Sequence, residues 1–150
     1  MKYLTIILAV AAFCSGGRIK VTEATSQEWV GGLQESGYGT DYQLIIEAKA
    51  GSEQLHIEEL WADDLHMKVR IIANPANFKD QSFKKGDRLV VKAGWTHRPG
   101  PDERALLHSA DSLARPVDFK GEGLLGYTWR GEKRYARIAV FKKLEKIIYP

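Results

Sequence analysis

The chain has little of several residue types that would narrow its structure. It contains one cysteine, so no internal disulfide can form, and its 150 residues suffice for a hydrophobic core that needs neither a disulfide nor a metal. Its 14 glycines and 5 prolines stay near the average share of about 12%, which excludes collagen-like and low-complexity classes. The composition therefore predicts one globular domain.

Charge of one sign is not concentrated in any single block of the sequence. The net charge is +3, from 22 Lys/Arg and 19 Asp/Glu, and acidic residues interrupt the densest basic stretch, residues 130–137. Nucleic-acid-binding faces need clustered Lys/Arg, usually with a recognisable reading element. The sequence therefore predicts no nucleic-acid partner, and residues 130–137 are interpreted as a solvated strand or hairpin.

Long apolar runs are also scarce. The run Leu4–Phe13 follows Lys2 and precedes small residues, which is the layout of a secretory signal peptide. It is shorter than the roughly 20 residues that a membrane-spanning helix needs, and no later run approaches that length. Residues 1–14 are therefore predicted to be a signal peptide of an exported bacterial envelope protein without a membrane span. The predicted location is the periplasm, the outer membrane surface or the cell exterior.

Cys14 leaves two outcomes open at the end of this apolar run. It sits where a lipoprotein cysteine would be acylated, although such cleavage favours a small preceding residue and this chain has Phe13. Cleavage after Cys14, with Ala12 as the other small residue of the site, fits as well and removes the thiol. The protein is thus expected to be either tethered by a lipid anchor or freely secreted.

Hydrophobic residues recur with a period of two in the body of the chain, as they do in half-buried strands. The runs that show this pattern or a short apolar stretch are 42–50, 55–61, 66–71, 89–95, 124–129 and 134–141. Residues 50–53 and 130–133 separate strands at hairpin length. About seven short strands predict an antiparallel, immunoglobulin-like β-sandwich over residues 28–150, with a small closed β-barrel as the alternative. Residues 15–27 are predicted to be a flexible N-terminal segment.

One connection is far longer than the others. Residues 96–123 show no clear alternation, and the span well exceeds the usual connection of about 4–6 residues. A short helix is predicted around residues 100–107, because Pro101 precedes acidic residues at its start. The segment is either a crossover between two sheets or a binding loop carried by the β scaffold.

No constellation in the sequence specifies a reaction. His108 and Asp111 flank Ser109, but the strained nucleophile turn of a hydrolase is absent. The acidic residues 58–59 and 63–64 lack the pattern of a calcium loop and are interpreted as a solvated strand end. The four histidines match no zinc spacing, although His56 and His66 on paired strands would offer two metal ligands. The sequence therefore supports no catalytic residue and no cofactor.

The four tryptophans divide into two pairs. Trp61 is predicted to share a core face with residues 55 and 57, and Trp95 with residues 89–93. The other two, Trp29 and Trp129, stand beside glycine turns and are expected to be partly exposed, where they would suit sugar stacking. With the histidines of the long connection they make up the candidate ligand-binding residues: Trp29, Trp129, His97 and His108.

Several short signatures resemble small exported proteins of Bacteroidetes bacteria. They are residues 28–32 (EWVGG), 36–42 (SGYGTDY), 60–61 (LW), 83–87 (FKKGD) and 147–150 (IIYP). The resemblance implies export and an all-β fold, and it implies no active residues. Together these observations predict a non-catalytic interaction or structural module of the cell envelope whose partner is a protein or a glycan. The alternative is a carbohydrate- or metal-binding protein.

Overall fold

Two β-sheets packed face to face form the protein. The computed structural model describes residues 17–98, 110–111 and 116–150. The strands within these residues are β1 (Ile19–Val30), β2 (Tyr38–Ala48), β3 (Leu55–Ala62), β4 (Leu65–Lys68), β5 (Arg70–Ile72), β6 (Arg88–His97), β7 (Ala110–Asp111), β8 (Gly123–Trp129), β9 (Glu132–Ile138), β10 (Lys142–Lys143) and β11 (Ile147–Ile148). A short 3₁₀ turn, Gln34–Ser36, links β1 to β2.

The first sheet, sheet A, has the strand order β10-β1-β2-β6-β5, and β11 also pairs with β1. The second, sheet B, has the order β7-β4-β3-β8-β9. Neighbouring strands are antiparallel except where β10 and β11 run parallel to β1. The sheets do not close into a barrel, so the predicted antiparallel sandwich is confirmed and the barrel alternative is wrong. Seven of the strands in the described residues have four or more residues, in agreement with the expected number.

The core lies between the sheets, where each contributes the apolar half of its alternating strands. In sheet A the alternating residues Leu44 and Ile46 of β2 and Leu89 of β6 are at most 1% exposed. In sheet B they meet Leu60 and Leu125, which are equally buried. The period of two in the sequence therefore identified the buried face of these strands.

The prediction of a flexible segment at residues 15–27 is wrong for residues 19–27. These residues belong to β1, which pairs with β2 from Ile19↔Ala48 to Val30↔Tyr38. The strand was not recognised because its alternation is mostly polar and because the pairing shifts by one residue between Val21 and Glu23.

The two predicted hairpins have different outcomes. Residues 130–131 form the tight turn between β8 and β9, with φ values of 50° and 79° that suit a two-residue hairpin. Residues 50–53 do not form a hairpin, because β2 belongs to sheet A and β3 to sheet B. They carry the chain from one sheet to the other. Residues 96–123 likewise join sheet A to sheet B, and β7 within them pairs with β4; the predicted helix at 100–107 lies outside the described residues.

The prediction that Trp61 is buried is confirmed, but the face predicted for it, shared with Leu55 and Ile57, is wrong. The register of β3 against β8 passes from Ile57↔Tyr127 directly to Glu59↔Gly126, so Glu58 is an extra residue and forms a β-bulge. The bulge reverses the alternation, because residues beyond it leave the opposite face of the sheet. Trp61 is buried at 5% exposure but lies outside the main core cluster, on the outer face of sheet B.

Candidate functional site

A cleft opens at one end of the sandwich because the strands of sheet A are longer than those of sheet B. The central strands β1, β2 and β6 have 12, 11 and 10 residues, whereas β3 and β8 have 8 and 7. The cleft has a volume of about 410 Å³. It is lined by Ser26, Glu28, Thr40, Tyr42, Ala62, Asp63, Asp64, Gly121, Glu122, Phe141, Lys143 and Leu144.

The floor of this cleft is a tyrosine bound to an aspartate. Tyr42 lies on the inner face of β2 with only 3% of its surface exposed, and its hydroxyl donates a hydrogen bond to Asp63 Oδ2. Burial, followed by the hydrogen bond and negative charge of Asp63, raises the pKa of the Tyr42 phenol far above its ordinary value. Tyr42 is therefore a neutral donor at all physiological pH values and holds the carboxylate of Asp63 in place.

Asp63 reaches the cleft because it belongs to a two-residue turn. Asp63 and Asp64 connect β3 to β4 and have φ values of 52° and 58°. Such left-handed values at both central positions are typical of a type I′ hairpin, and aspartate tolerates them better than most residues. The tight turn projects two carboxyl groups at the mouth of the sandwich, where sheet B ends.

The opposite wall is held by Glu122. Its carboxylate accepts the backbone N–H of Phe141 at 2.7 Å, and the Phe141 ring packs edge-on against Tyr42 at 5.0 Å. Among the described residues that line the cleft, four are acidic and one, Lys143, is basic. The cleft therefore carries a negative potential that repels anions and attracts hydroxyl or ammonium donors.

An aromatic surface continues from the cleft along the inner face of sheet A. Tyr38 lies two residues from Thr40 on β2, so the two side chains leave the same face. The ring of Tyr38 stacks on His97 at 4.9 Å and meets Trp95 edge-on at 6.1 Å. Tyr38 is 48% exposed, so one side of this surface is open to solvent. The site combines a flat aromatic face with carboxylate acceptors beside it.

The candidate residues from the sequence do not form one site. Trp29 and His97 lie at the same end of sheet A but on opposite faces, because Trp29 pairs with Gly39 and His97 with Tyr38. The Trp29 ring meets Tyr149 edge-on at 6.3 Å on the outer face. His97 is therefore the candidate that belongs to the aromatic surface beside the cleft.

The two remaining sequence candidates for ligand binding and the lipidation candidate lie elsewhere. Trp129 is at the other end of the sandwich, opposite Leu55 at the start of β3. Three arginines surround its ring, so it is not an open stacking platform. His108 and Cys14 lie outside the described residues.

A polar network crosses the outer face of sheet B. Glu59 Oε2 lies 2.6 Å from His66 Nε2, and Glu59 Oε1 forms an ion pair with Lys133. Burial lowers the pKa of the Lys133 ammonium, but its hydrogen bonds to Glu59 and Glu58 outweigh burial and leave the pKa above its ordinary value. The side chains of Glu59 and His66 are only 18% and 13% exposed, so this network contributes to the stability of sheet B.

The histidine pair suggested for metal binding is not brought together. His66 is opposite Trp61 on β3, whereas His56, five residues away on β3, is opposite Thr128 on β8. In addition, His66 is engaged by Glu59. Within residues 17–98, 110–111 and 116–150, no group of three His, Cys, Asp or Glu side chains has an arrangement that could hold a metal ion.

Sequence reasoning missed most of the cleft, although a signal for it exists. Ser26, Glu28 and Thr40 continue the inward-facing positions of β1 and β2, and they are polar where a closed core would be apolar. Inward-facing polar residues near a strand end indicate that the facing sheet has stopped. The sequence could not show where sheet B stops, since that depends on the packing of distant strands.

Comparison with protein-family models, with curated proteins and with solved structures finds no match to this chain. In the part of the chain that the structure describes, no helix has the length and apolar character needed to cross a membrane.

Proposed function

We propose that this chain is a non-catalytic, exported binding module of the bacterial envelope whose cleft holds a carbohydrate. The observation that carries the proposal is the aromatic surface of Tyr38 and His97 beside a cleft lined by four carboxyl groups. Aromatic rings provide flat apolar contact area, and ionised carboxylates accept hydrogen bonds without donating any. This pairing suits a sugar ring, which has apolar C–H faces and a rim of hydroxyl donors.

The charge and the size of the cleft limit the class of sugar that it can bind. Glu28, Asp63 and Glu122 disfavour uronic acids and sulfated sugars, because like charges brought together in a partly buried site repel. Neutral sugars and amino sugars therefore remain as possible ligands. Lys143 is the one cation among the described lining residues. The volume of about 410 Å³ falls in the range of about 300–1,000 Å³ that is usual for small-ligand sites.

Export supports a glycan of the cell envelope or the surroundings as the ligand. The proposed signal peptide at residues 1–14 would place the domain outside the cytoplasm, with or without a lipid on Cys14. A binding module needs no titratable group poised for reaction. The neutral, tightly bound Tyr42 has a positioning role in this proposal, because it fixes Asp63.

The experiment is a glycan screen followed by two matched variants. Neutral and amino-sugar oligosaccharides are tested for thermal stabilisation of the protein, since a ligand at 100 times its Kd adds about 2.7 kcal/mol. The Kd of the best ligand is then measured for Tyr38→Ala and Tyr149→Ala, whose tyrosines are 48% and 49% exposed on opposite faces of sheet A.

Tyr38→Ala should weaken binding by about three- to tenfold, the equivalent of roughly 0.5–1.5 kcal/mol for an aromatic contact. Tyr149→Ala should leave the Kd unchanged, because its ring packs on Trp29 outside the cleft. Equal losses in both variants, or a screen in which no neutral or amino sugar stabilises the protein, would contradict the proposal.

A protein partner is the second candidate, because apolar side chains are exposed at the end of sheet A where β1 finishes. Leu33 and Ile148 are 71% and 75% exposed. The segments that carry them are joined by a backbone hydrogen bond in which Tyr149 N donates to Val30 O at 3.0 Å. Replacing Leu33 and Ile148 by serine would abolish binding to such a partner and leave the glycan Kd unchanged. The serine substitutions at Leu33 and Ile148 therefore distinguish binding of a protein partner from binding of a glycan.

A further inference from the structure

The end of the sandwich opposite the cleft is strongly basic. We define the basic end as residues 17–20, 47–54, 83–88 and 129–134. Backbone hydrogen bonds join these segments: Lys49 N donates to Arg18 O at 2.8 Å, Ser52 N to Phe83 O at 3.0 Å, and Arg130 N to Gln54 O at 2.9 Å. The segments carry nine Lys/Arg against four Asp/Glu, a net charge of +5, and +3 when Glu58 and Glu59, the partners of Lys133, are counted with them.

The folding of the chain creates this basic end, because no single stretch of the sequence contains it. Its segments come from four separate parts of the chain, and three of them contain acidic residues as well as basic ones. The cleft at the other end is acidic, so the molecule has a charge gradient along its strands. A gradient of this kind orients a protein at a charged surface.

Three arginines gather around one ring at the centre of the basic end. The guanidinium carbons of Arg18, Arg130 and Arg134 lie 3.9, 4.6 and 4.9 Å from the centroid of Trp129. Stacking on the indole orders the three groups without neutralising their charge. The basic end is thus organised before any ligand arrives.

The arginines have few anionic partners of their own. Within the described residues Arg134 pairs with Glu132 at 3.1 Å, and Arg130 Nε donates to the amide oxygen of Gln54 at 3.4 Å. The Nε of Arg18 is buried and has no hydrogen-bond partner in the same part of the chain. The Arg130 side chain is exposed and that of Arg134 is 35% exposed, so their guanidinium groups can reach the oxygens of a phosphate group, which guanidinium binds with two N–H groups at once.

The position of the N-terminal segment indicates where such phosphates would be found. Gly17 lies at the basic end, where a Cβ at this glycine would be 3.5 Å from the hydroxyl of Tyr127. Cys14 precedes Arg18 by four residues, a distance of at most about 14 Å even in a fully extended chain. A lipid attached to Cys14 would therefore hold this end of the sandwich against the bilayer.

We propose that the basic end is a membrane-facing surface that binds the headgroups of anionic phospholipids through the arginines around Trp129. The cleft at the opposite end would then be directed away from the bilayer, where it can reach a ligand. The inference rests on the basic end and not on the glycan proposal, so either can fail alone.

The test is partition of the full chain onto lipid vesicles of two compositions. Binding is measured by co-sedimentation with vesicles of phosphatidylcholine alone and with vesicles that contain 30% phosphatidylglycerol. The ratio of the two partition coefficients isolates the charge-dependent part of binding, because any apolar contribution, including that of an N-terminal lipid, is the same for both vesicles. The ratio should be high for the unmodified chain and should fall steeply between 50 and 500 mM salt.

Two triple variants with the same change in charge provide the comparison. Arg18→Gln, Arg130→Gln and Arg134→Gln together should lower the ratio by about 100-fold, since each basic residue near an anionic surface contributes about 1 kcal/mol. The control replaces three exposed lysines outside the basic end by glutamine, namely Lys120, Lys142 and Lys146. It should lower the ratio by less than about threefold.

Three results would overturn the proposal. The first is an unmodified chain that binds both vesicles equally at low salt. The second is a control variant that loses as much as the arginine variant. The third is an arginine-dependent interaction with a soluble polyanion such as heparin but not with the vesicles. If the triple arginine variant fails to fold, Trp129→Leu and the salt dependence of the unmodified chain decide the question.

Discussion

Substituting Gly126 by alanine tests the polar network of sheet B. Gly126 is opposite Glu59 in the register of β8 and β3, and a Cβ at this glycine would lie 2.7 Å from Glu59 Cγ and 2.9 Å from its Oε1. The Glu59 side chain would have to move, and it would lose its contacts with His66 and Lys133. Glycine at position 126 therefore leaves free the space that the Glu59 side chain occupies.

The magnitude follows from two opposing effects. A hydrogen bond to a charged group contributes about 1.5–3 kcal/mol, and water replaces it poorly here because Glu59 and His66 are 18% and 13% exposed. Alanine in a strand recovers about 0.5–1 kcal/mol of the entropy that glycine loses on folding. Gly126→Ala should thus lower the free energy of unfolding by about 1–2 kcal/mol. The melting temperature should fall by about 3–6 °C.

A double-mutant cycle measured by urea unfolding at pH 7 checks the cause. In a Glu59→Ala background the clash partner is gone, so Gly126→Ala should be neutral or stabilising by up to about 1 kcal/mol. If Gly126→Ala destabilises both backgrounds equally, the contact with Glu59 is not the reason for the glycine and the argument is refuted.

Three other substitutions follow from the same structure, and urea unfolding measures each of them. Because the pKa of Tyr42 is raised, the unfolded chain ionises this phenol near pH 10 while the folded chain keeps its proton. Stability should therefore fall by up to about 1.4 kcal/mol per pH unit above pH 10, and Tyr42→Phe should remove that component. Leu44→Ala, at a side chain with 1% exposure, should lower stability by about 2–5 kcal/mol. Gly131→Ala should lower it by about 1 kcal/mol through its φ of 79° alone, since no atom lies near the added Cβ; an effect below about 0.3 kcal/mol would contradict that reasoning.

Features that depend on neighbouring residues of one strand could be predicted from the sequence, whereas features that depend on pairing between distant strands could not. The strand containing Leu44 and Ile46 was recognised because alternation between two faces is a property of one strand. The strand β1 was missed because its inward positions include Ser26 and Glu28, which line the cleft and not the core. The face of Trp61 was misjudged because a bulge at Glu58 exists only where two strands fail to keep equal register.

The class of the fold, the buried face of the regular strands and the turn at residues 130–131 could be predicted from the sequence, since each depends on neighbouring residues. Which strands share a sheet, where sheet B ends and which distant side chains meet depend on contacts that form only when the chain is folded. The cleft arises because strands of unequal length are stacked, and the basic end because four separate segments converge. Both candidate surfaces are therefore products of packing between residues far apart in the chain.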